Sequence, residues 1–256
     1  MALQKDEGRH QIIHRPWSVT ARADEFDAWI TQPDEDGRFA PVLVCHDVFG
    51  VTPHMQEIAK LLSRMGYVAI VPDLYYRAGE AGRAADRERA EAVAAGFGDG
   101  RLMADVEDTV DFIHSQRSFV DETRLGVVGV GMGGRLALLI AEELAHMVQS
   151  VVCVSPVLAK TELQGGEVRE RTAITAAENA QAPVLAMFGG KDDLVDSGEI
   201  DEFKEALGPR GAIVTYPSAK RGYLDESSDD YDPAVAADAY GRMIGFFDAY
   251  VGSEPR

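Results

Sequence analysis

Apolar residues along this chain fall into two alternating patterns. Short runs such as Pro41-Val-Leu-Val-Cys-His46, Tyr67-Val-Ala-Ile-Val71, Arg124–Gly129, Ser150–Val154 and Ala182–Phe188 are nearly continuous in β-branched and aliphatic residues. Several end abruptly in polar residues, glycine or proline, as strands buried on both faces do. Between them lie segments with helical spacing. Met55–Met65 places Ile58, Leu61, Leu62 and Met65 on one face, and Gly66 stops it. Arg101–Gln116 does the same with Val106, Val110 and Ile113. Ala84–Ala95, Met132–His146, Ile200–Leu207 and Pro233–Val251 read as further helices, the last with its proline suited to a first turn. Ser18–Ala21, Phe26–Thr31 and Ala212–Tyr216 read as short strands. Strands alternating with helices predict an α/β fold with a mostly parallel central sheet and helices on both faces. Thr161–Gln181 is polar and weakly patterned, which suggests an excursion over the strand ends.

The 256 residues suit one domain, 1–256, with residues 1–17 as an N-terminal extension. A hydrophobic content of 46% and a charged content of 27% are those of an ordinary globule. The net charge of -18 argues against nucleic acid as a partner, because duplex binding needs clustered cations to displace counterions. The first residues lack the apolar core of a secretory signal, and no stretch reaches the length of a membrane span. A cytoplasmic location is the default expectation, and the sequence leaves the oligomeric state open. The two cysteines, Cys45 and Cys153, lie in apolar runs and form neither a disulfide framework nor a zinc spacing. The histidines His10, His14, His54, His114 and His146 have no mutual metal-ligand spacing. No metal and no cofactor are therefore expected.

Chemistry concentrates where strands end, since ligands in such folds bind beyond the carboxyl ends of the strands. Leu125-Gly-Val-Val-Gly-Val-Gly-Met-Gly-Gly134 has the layout of a nucleophile elbow, Gly-x-Nu-x-Gly, on a strand-to-helix turn. Gly129 and Gly133 are the flanking glycines, and the nucleophile position falls on Gly131, which has no side chain. Three further strand ends carry Cys45-His-Asp-Val-Phe-Gly50, Gly189-Gly-Lys-Asp-Asp193 and Pro217-Ser-Ala-Lys-Arg-Gly-Tyr223.

These four segments, in this order and spacing, resemble the dienelactone hydrolase family of the α/β-hydrolase superfamily. The likeness runs from about Val19 to the last helix, and Gly66–Arg77, GYVAIVPDLYYR, is part of it. The resemblance implies an α/β-hydrolase fold and a small-molecule substrate. It places the triad acid on Asp192 and puts Asp47 where the family usually has a glutamate. It also places Gly131 at the position of the usual cysteine and Arg221 at that of the usual histidine. Arginine stays protonated near neutral pH and cannot serve as a general base.

The resemblance further implies an oxyanion hole built from the amides of Val48 and Met132, helped by the start of the following helix. Asp47, with His46, is then the candidate for moving a proton or orienting water, although neighbours on a strand point to opposite faces. Arg221 either pairs with Asp192 across two loops or grips a ligand carboxylate with its planar fork. Tyr75, Tyr76 and Tyr223 are candidates for the rim. Three readings follow. One is a non-covalent enzyme acting on a lactone, ester or carboxylate-bearing ligand by water attack, isomerisation or cyclisation. Another is a ligand-binding relative without turnover. The third is a hydrolase whose nucleophile has moved to Cys45, Ser155 or Ser218.

Overall fold

The computed structural model describes residues 8–20, 24–83, 86–158 and 171–255. The strands are β1 (Ile12–Thr20), β2 (Glu25–Pro33), β3 (Ala40–Cys45), β4 (Tyr67–Pro72), β5 (Gly126–Val130), β6 (Ser150–Val154), β7 (Val184–Gly189) and β8 (Gly211–Tyr216). The helices are α1 (Pro53–Arg64), α2 (Arg87–Ala94), α3 (Asp99–Ser115), α4 (Met132–Glu143), α5 (Ala173–Asn179), α6 (Ser197–Leu207) and α7 (Pro233–Tyr250). All eight strands form one sheet in the order β1-β2-β4-β3-β5-β6-β7-β8. From β4 to β8 along that order every pairing is parallel, while β1 and β2 add an antiparallel edge.

The alternation along each strand divides the core in two. Leu43, Cys45, Val68, Ile70, Val127, Val151 and Cys153 face the layer of α3, α4, α5 and α6. Val42, Val44, Ala69, Val71, Val128, Val152 and Val154 face α1 and α7. Every residue of β3, β4, β6 and β7 is buried, which explains why these strands read as unbroken apolar runs.

Three local expectations change. Strand β1 begins at Ile12, so residues 12–17 of the expected N-terminal extension belong to the sheet. Its half-exposed edge position gives it too mixed a pattern to be read as a strand. Helix α5 falls within the stretch expected to be an excursion. Thr172 caps it through a reciprocal pair with Thr175, a box usually signalled by glutamate or glutamine. Helix α4 ends at Glu143 rather than His146. Residues 84–85 and 159–170 of the expected segments, and Ala21, lie outside the described residues.

The sheet brings the carboxyl ends of β3, β5, β6, β7 and β8 to one edge, and α4 begins there in close contact. A Cβ on Gly133 would run into the backbone carbonyls of Cys45 and His46. Gly133→Ala is therefore expected to destabilise the fold by about 1–3 kcal/mol or more through overpacking against backbone that cannot yield. A urea-denaturation midpoint equal to that of the wild type would refute this packing.

Candidate active site

Strand β5 turns into α4 through the single residue Gly131, whose φ of 57° and ψ of -118° lie in a region that side chains disfavour. The turn is held by its backbone. Gly131 N–H donates to the Val154 carbonyl at 2.9 Å, and the Gly131 carbonyl accepts from Gly134 and Val157 at 3.0 and 3.1 Å. This is the strained geometry of a nucleophile elbow with glycine at its apex, where the strain costs little.

A carboxylate stands at that apex. Met132 N–H, at the start of α4, donates to Asp47 Oδ1 at 2.9 Å. Gly131 supplies no side-chain cap to α4, so Asp47 caps it from the end of β3. Its negative charge suits the positive end of the helix dipole. A Cβ built on Gly131 would land on the Asp47 carboxyl group. Asp47 thus fills the space that a side chain at the elbow would take. Of the two amides expected to form an oxyanion hole, that of Met132 is already engaged. The Val48 side chain is buried in the core beneath the loop.

His46 points away from this site, as the strand alternation demands. Its Nε2 accepts from Leu74 N–H at 3.2 Å, which leaves Nδ1 to donate to the Asp47 carbonyl at 2.8 Å. The ring meets Tyr75 edge-on at 4.7 Å. Burial holds the imidazole below its ordinary value. His46 therefore staples the loop after β3 to the loop after β4, and the expectation that it moves protons at the site is corrected.

Asp192 and Arg221 do meet. Arg221 Nη1 donates to Asp192 Oδ2 at 2.9 Å, and Leu194 N–H donates to Asp192 Oδ1 at 3.0 Å. Asp192 is buried, and the Arg221 side chain is nearly so. Backbone bonds reinforce the link, from Gly190 to Tyr216 at 2.7 Å and from Lys191 to Ala219 at 2.8 Å. Arg221 Nη2 is also buried and has no hydrogen-bond partner among the described residues. The geometry is that of an ion pair joining two loops, not of a fork presented to a ligand.

A cavity of about 330 Å³ opens over the elbow, with Asp47, Gly131, Ser155, Arg221, His54 and Leu194 among its lining residues. Tyr75 and Tyr223 do not line it, which corrects their expected place on the rim. Tyr75 is buried and stacks on Phe97 at 5.2 Å. Tyr223 is fully buried beside Tyr216, with its hydroxyl 3.4 Å from the Met187 carbonyl. Aromatic residues next to a motif pack as readily as they gate, and sequence position does not separate the two.

Among the candidates for a displaced nucleophile, Cys45 is buried with its thiol pushed up to about 12 by desolvation, and it does not line the cavity. Ser218 is exposed and lies off the cavity. Ser155 does reach the cavity, from a positive φ of 44° just before Pro156. Its hydroxyl donates to the Arg221 carbonyl at 3.3 Å. The sequence marks no site role for His54, Asp225, Ser228 or Asp230, which also line the cavity. The last three come from the long loop between β8 and α7, which has no periodicity to mark an inward face. No group of His, Cys, Asp and Glu among the described residues has the geometry to hold a metal ion. None of the described helices is long and apolar enough to cross a membrane.

Comparison with known proteins agrees with this fold. The model of the dienelactone hydrolase family matches residues 26–251. A carboxymethylenebutenolidase of Rhodococcus opacus is 30% identical over 216 residues, covering 82% of this chain and 81% of the relative. The crystal structure of a protein of Klebsiella pneumoniae subsp. pneumoniae, described as a "putative dienelactone hydrolase", superposes with a TM-score of 0.86. Its identity is 25%, over 94% of this chain and all of that one. A dienelactone hydrolase of Anabaena variabilis shares the fold, with a TM-score of 0.68 at 21% identity and coverage of 94% and 100%.

The staple made by His46 has a measurable consequence. In the unfolded chain its imidazole takes up a proton near pH 6.5, whereas in the folded chain burial holds it neutral to lower pH. The stability this supplies is present above about pH 6.5 and is lost as pH falls below it. Between about pH 7.5 and pH 5.5, the melting temperature of the wild type should fall more steeply than that of His46→Asn. His114, also held low by burial, contributes equally to both proteins and cancels. Parallel slopes would show that the ring is not held neutral.

Proposed function

The chain belongs to the dienelactone hydrolase family, and we propose that it binds a small ester or lactone over the elbow and acts on it without forming an acyl-enzyme. The observation that carries this reading is the Asp47 carboxylate, held by Met132 N–H on the spot a side chain at position 131 would occupy. Acyl transfer through a triad needs a nucleophile at the elbow and a base beside it. Gly131 has no attacking atom, and Arg221 is a fixed cation paired with Asp192. Loss of a triad member costs about four to six orders of magnitude in kcat.

Asp47 is the acid-base group of this reading. A carboxylate at the cavity floor can accept a proton from a water that attacks the ligand, or from the ligand itself. The Met132 amide and the helix end fix its position. Asp192 and Arg221 hold the loops that carry the far wall. Ser155 is a poor replacement nucleophile, because its hydroxyl donates to the Arg221 backbone carbonyl and the residue at the usual position of the base is an arginine.

A second reading, ligand binding without turnover, is favoured by the same contact. With Asp47 bound to Met132, that amide is not open to a developing oxyanion. The two readings differ in whether turnover depends on Asp47.

Stopped-flow assays with p-nitrophenyl acetate test the proposal. The wild type should give slow turnover with no burst of p-nitrophenol. Asp47→Asn should lower whatever turnover exists by about 10²-fold or more if Asp47 is the base. Gly131→Cys/Arg221→His should gain turnover and acquire a burst. A stoichiometric burst from the wild type would overturn the loss of covalent catalysis. Slow turnover unchanged by Asp47→Asn would favour ligand binding alone.

A further inference from the structure

We propose that the Ser155 hydroxyl receives the carbonyl oxygen of the ligand, an inference that rests on reading the cavity as an ester or lactone site. Ser155 follows β6, whose last residue pairs with Val130 at the end of β5. Because β5 runs between β3 and β6, Ser155 flanks the elbow on the side opposite Asp47. Its backbone is an outlier. Among the described residues it is the one residue other than glycine with a positive φ, at 44°, and the proline after it narrows its allowed torsions further. Backbone bonds hold it there. Ser155 N–H donates to the Met187 carbonyl at 2.8 Å, the Val154 carbonyl accepts from Gly131, and Val157 N–H donates to the Gly131 carbonyl. Strain that the surroundings enforce on a cavity-lining residue points to a role for its side chain.

That side chain is loosely bound within the protein. Its hydroxyl donates to the Arg221 carbonyl at 3.3 Å, longer than the range of about 2.5–3.0 Å ordinary for such bonds. A hydroxyl hydrogen turns freely about the Cβ–Oγ bond, so a better-placed acceptor in the cavity takes it at little loss. The same wall holds Arg221, whose buried Nη2 has no acceptor among the described residues. The wall is therefore rich in donors, whereas Asp47 at the floor accepts. A carbonyl oxygen, which has only lone pairs to offer, matches the wall and not the floor. The elbow explains why a donor is needed here. Met132 N–H, which would otherwise hold that oxygen, already donates to Asp47.

Asp47 and Ser155 then divide the work. Water adds to the carbonyl carbon and passes a proton to Asp47, while the carbonyl π pair moves onto the oxygen held by Ser155. When the adduct collapses, the bond from carbon to the alcohol oxygen breaks, and that oxygen takes the proton back from Asp47. The donor for the developing charge comes from the loop after β6 instead of from the elbow. Binding without turnover needs the same contact, so the inference holds for either role of Asp47.

Ethyl butyrate and butyl ethyl ether test this, because the ether has a methylene where the ester has its carbonyl. Dissociation constants are measured by NMR on the wild-type protein, Ser155→Ala and Ser155→Gly, and the isotope-labelled carbonyl carbon of the bound ester is followed. In a cavity with no donor for it, the ester loses its hydration and the ether binds tighter. The wild type should instead bind the ester at least about fivefold tighter than the ether. Both replacements should erase that preference, leave the ether little changed and move the bound carbonyl carbon upfield of its wild-type position. Glycine suits a φ of 44°, so Ser155→Gly keeps the test open if the alanine variant fails to fold. A preference lost in Ser155→Gly but kept in a folded Ser155→Ala would assign the effect to the turn and overturn the inference. A wild type that prefers the ether, or a preference that survives both replacements, would overturn it while leaving the cavity a ligand site. Failure of both compounds to shift resonances of the cavity residues would overturn the small-molecule reading, and this inference with it.

Discussion

Helix α4 starts one residue after β5 ends, and it starts against the end of β3. That approach needs bare backbone, since a side chain at Gly129 would strike the Gly133 carbonyl and one at Gly133 would strike those of Cys45 and His46. The close crossing fixes where the helix end lies relative to β3, and so which β3 residue can reach it. Asp47 can, and it receives the Met132 amide at 2.9 Å. His46, one residue earlier, is turned under the loop, where its two ring nitrogens are both used. The arrangement of the cavity floor follows from the packing of two glycines.

The opposite wall is held by charge as well as by close packing. Asp192 and Arg221 come from loops after β7 and β8, where a Cβ on Gly189 or Gly190 would strike the backbone of Pro217, Ala219 or Lys220, and where Ala219, Tyr223 and Leu224 are buried in the core. Their ion pair is almost fully buried, and breaking a buried pair by removing one partner costs about 3–5 kcal/mol. The pair leaves one guanidinium nitrogen unpartnered among the described residues, which shows that position 221 is not perfectly served by its surroundings. A histidine at this position would be shorter and would leave room above Asp192.

What could be read from the sequence was whatever depends on periodicity or on glycine. The parallel strands β3 to β7 announced themselves because both of their faces are buried, and the elbow because its glycines are packing requirements. Side-chain direction was less legible. His46 and Asp47 are adjacent and polar, and the strand rule says that they diverge without saying which one turns to the cavity. Tyr75 and Tyr223 stood beside motif residues, yet each is buried in the core, an outcome decided by Phe97 and Met187 from other parts of the chain and by nearby Tyr216. The edge strand β1 was hidden because one-sided burial dilutes its pattern. The wall residues Asp225, Ser228 and Asp230 were hidden because an irregular loop has no period to betray an inward face.

The contact between positions 131 and 47 also shapes how this chain can change. A side chain at 131 and the carboxyl group at 47 compete for one volume. A thiol at position 131 would evict Asp47, uncap α4 and still leave arginine at position 221. Each single step toward a triad therefore carries a cost before any gain, so the two positions are epistatic. The glycine at the apex acts as a ratchet: with Asp47 over it, a path of single substitutions leads away from covalent chemistry more easily than toward it.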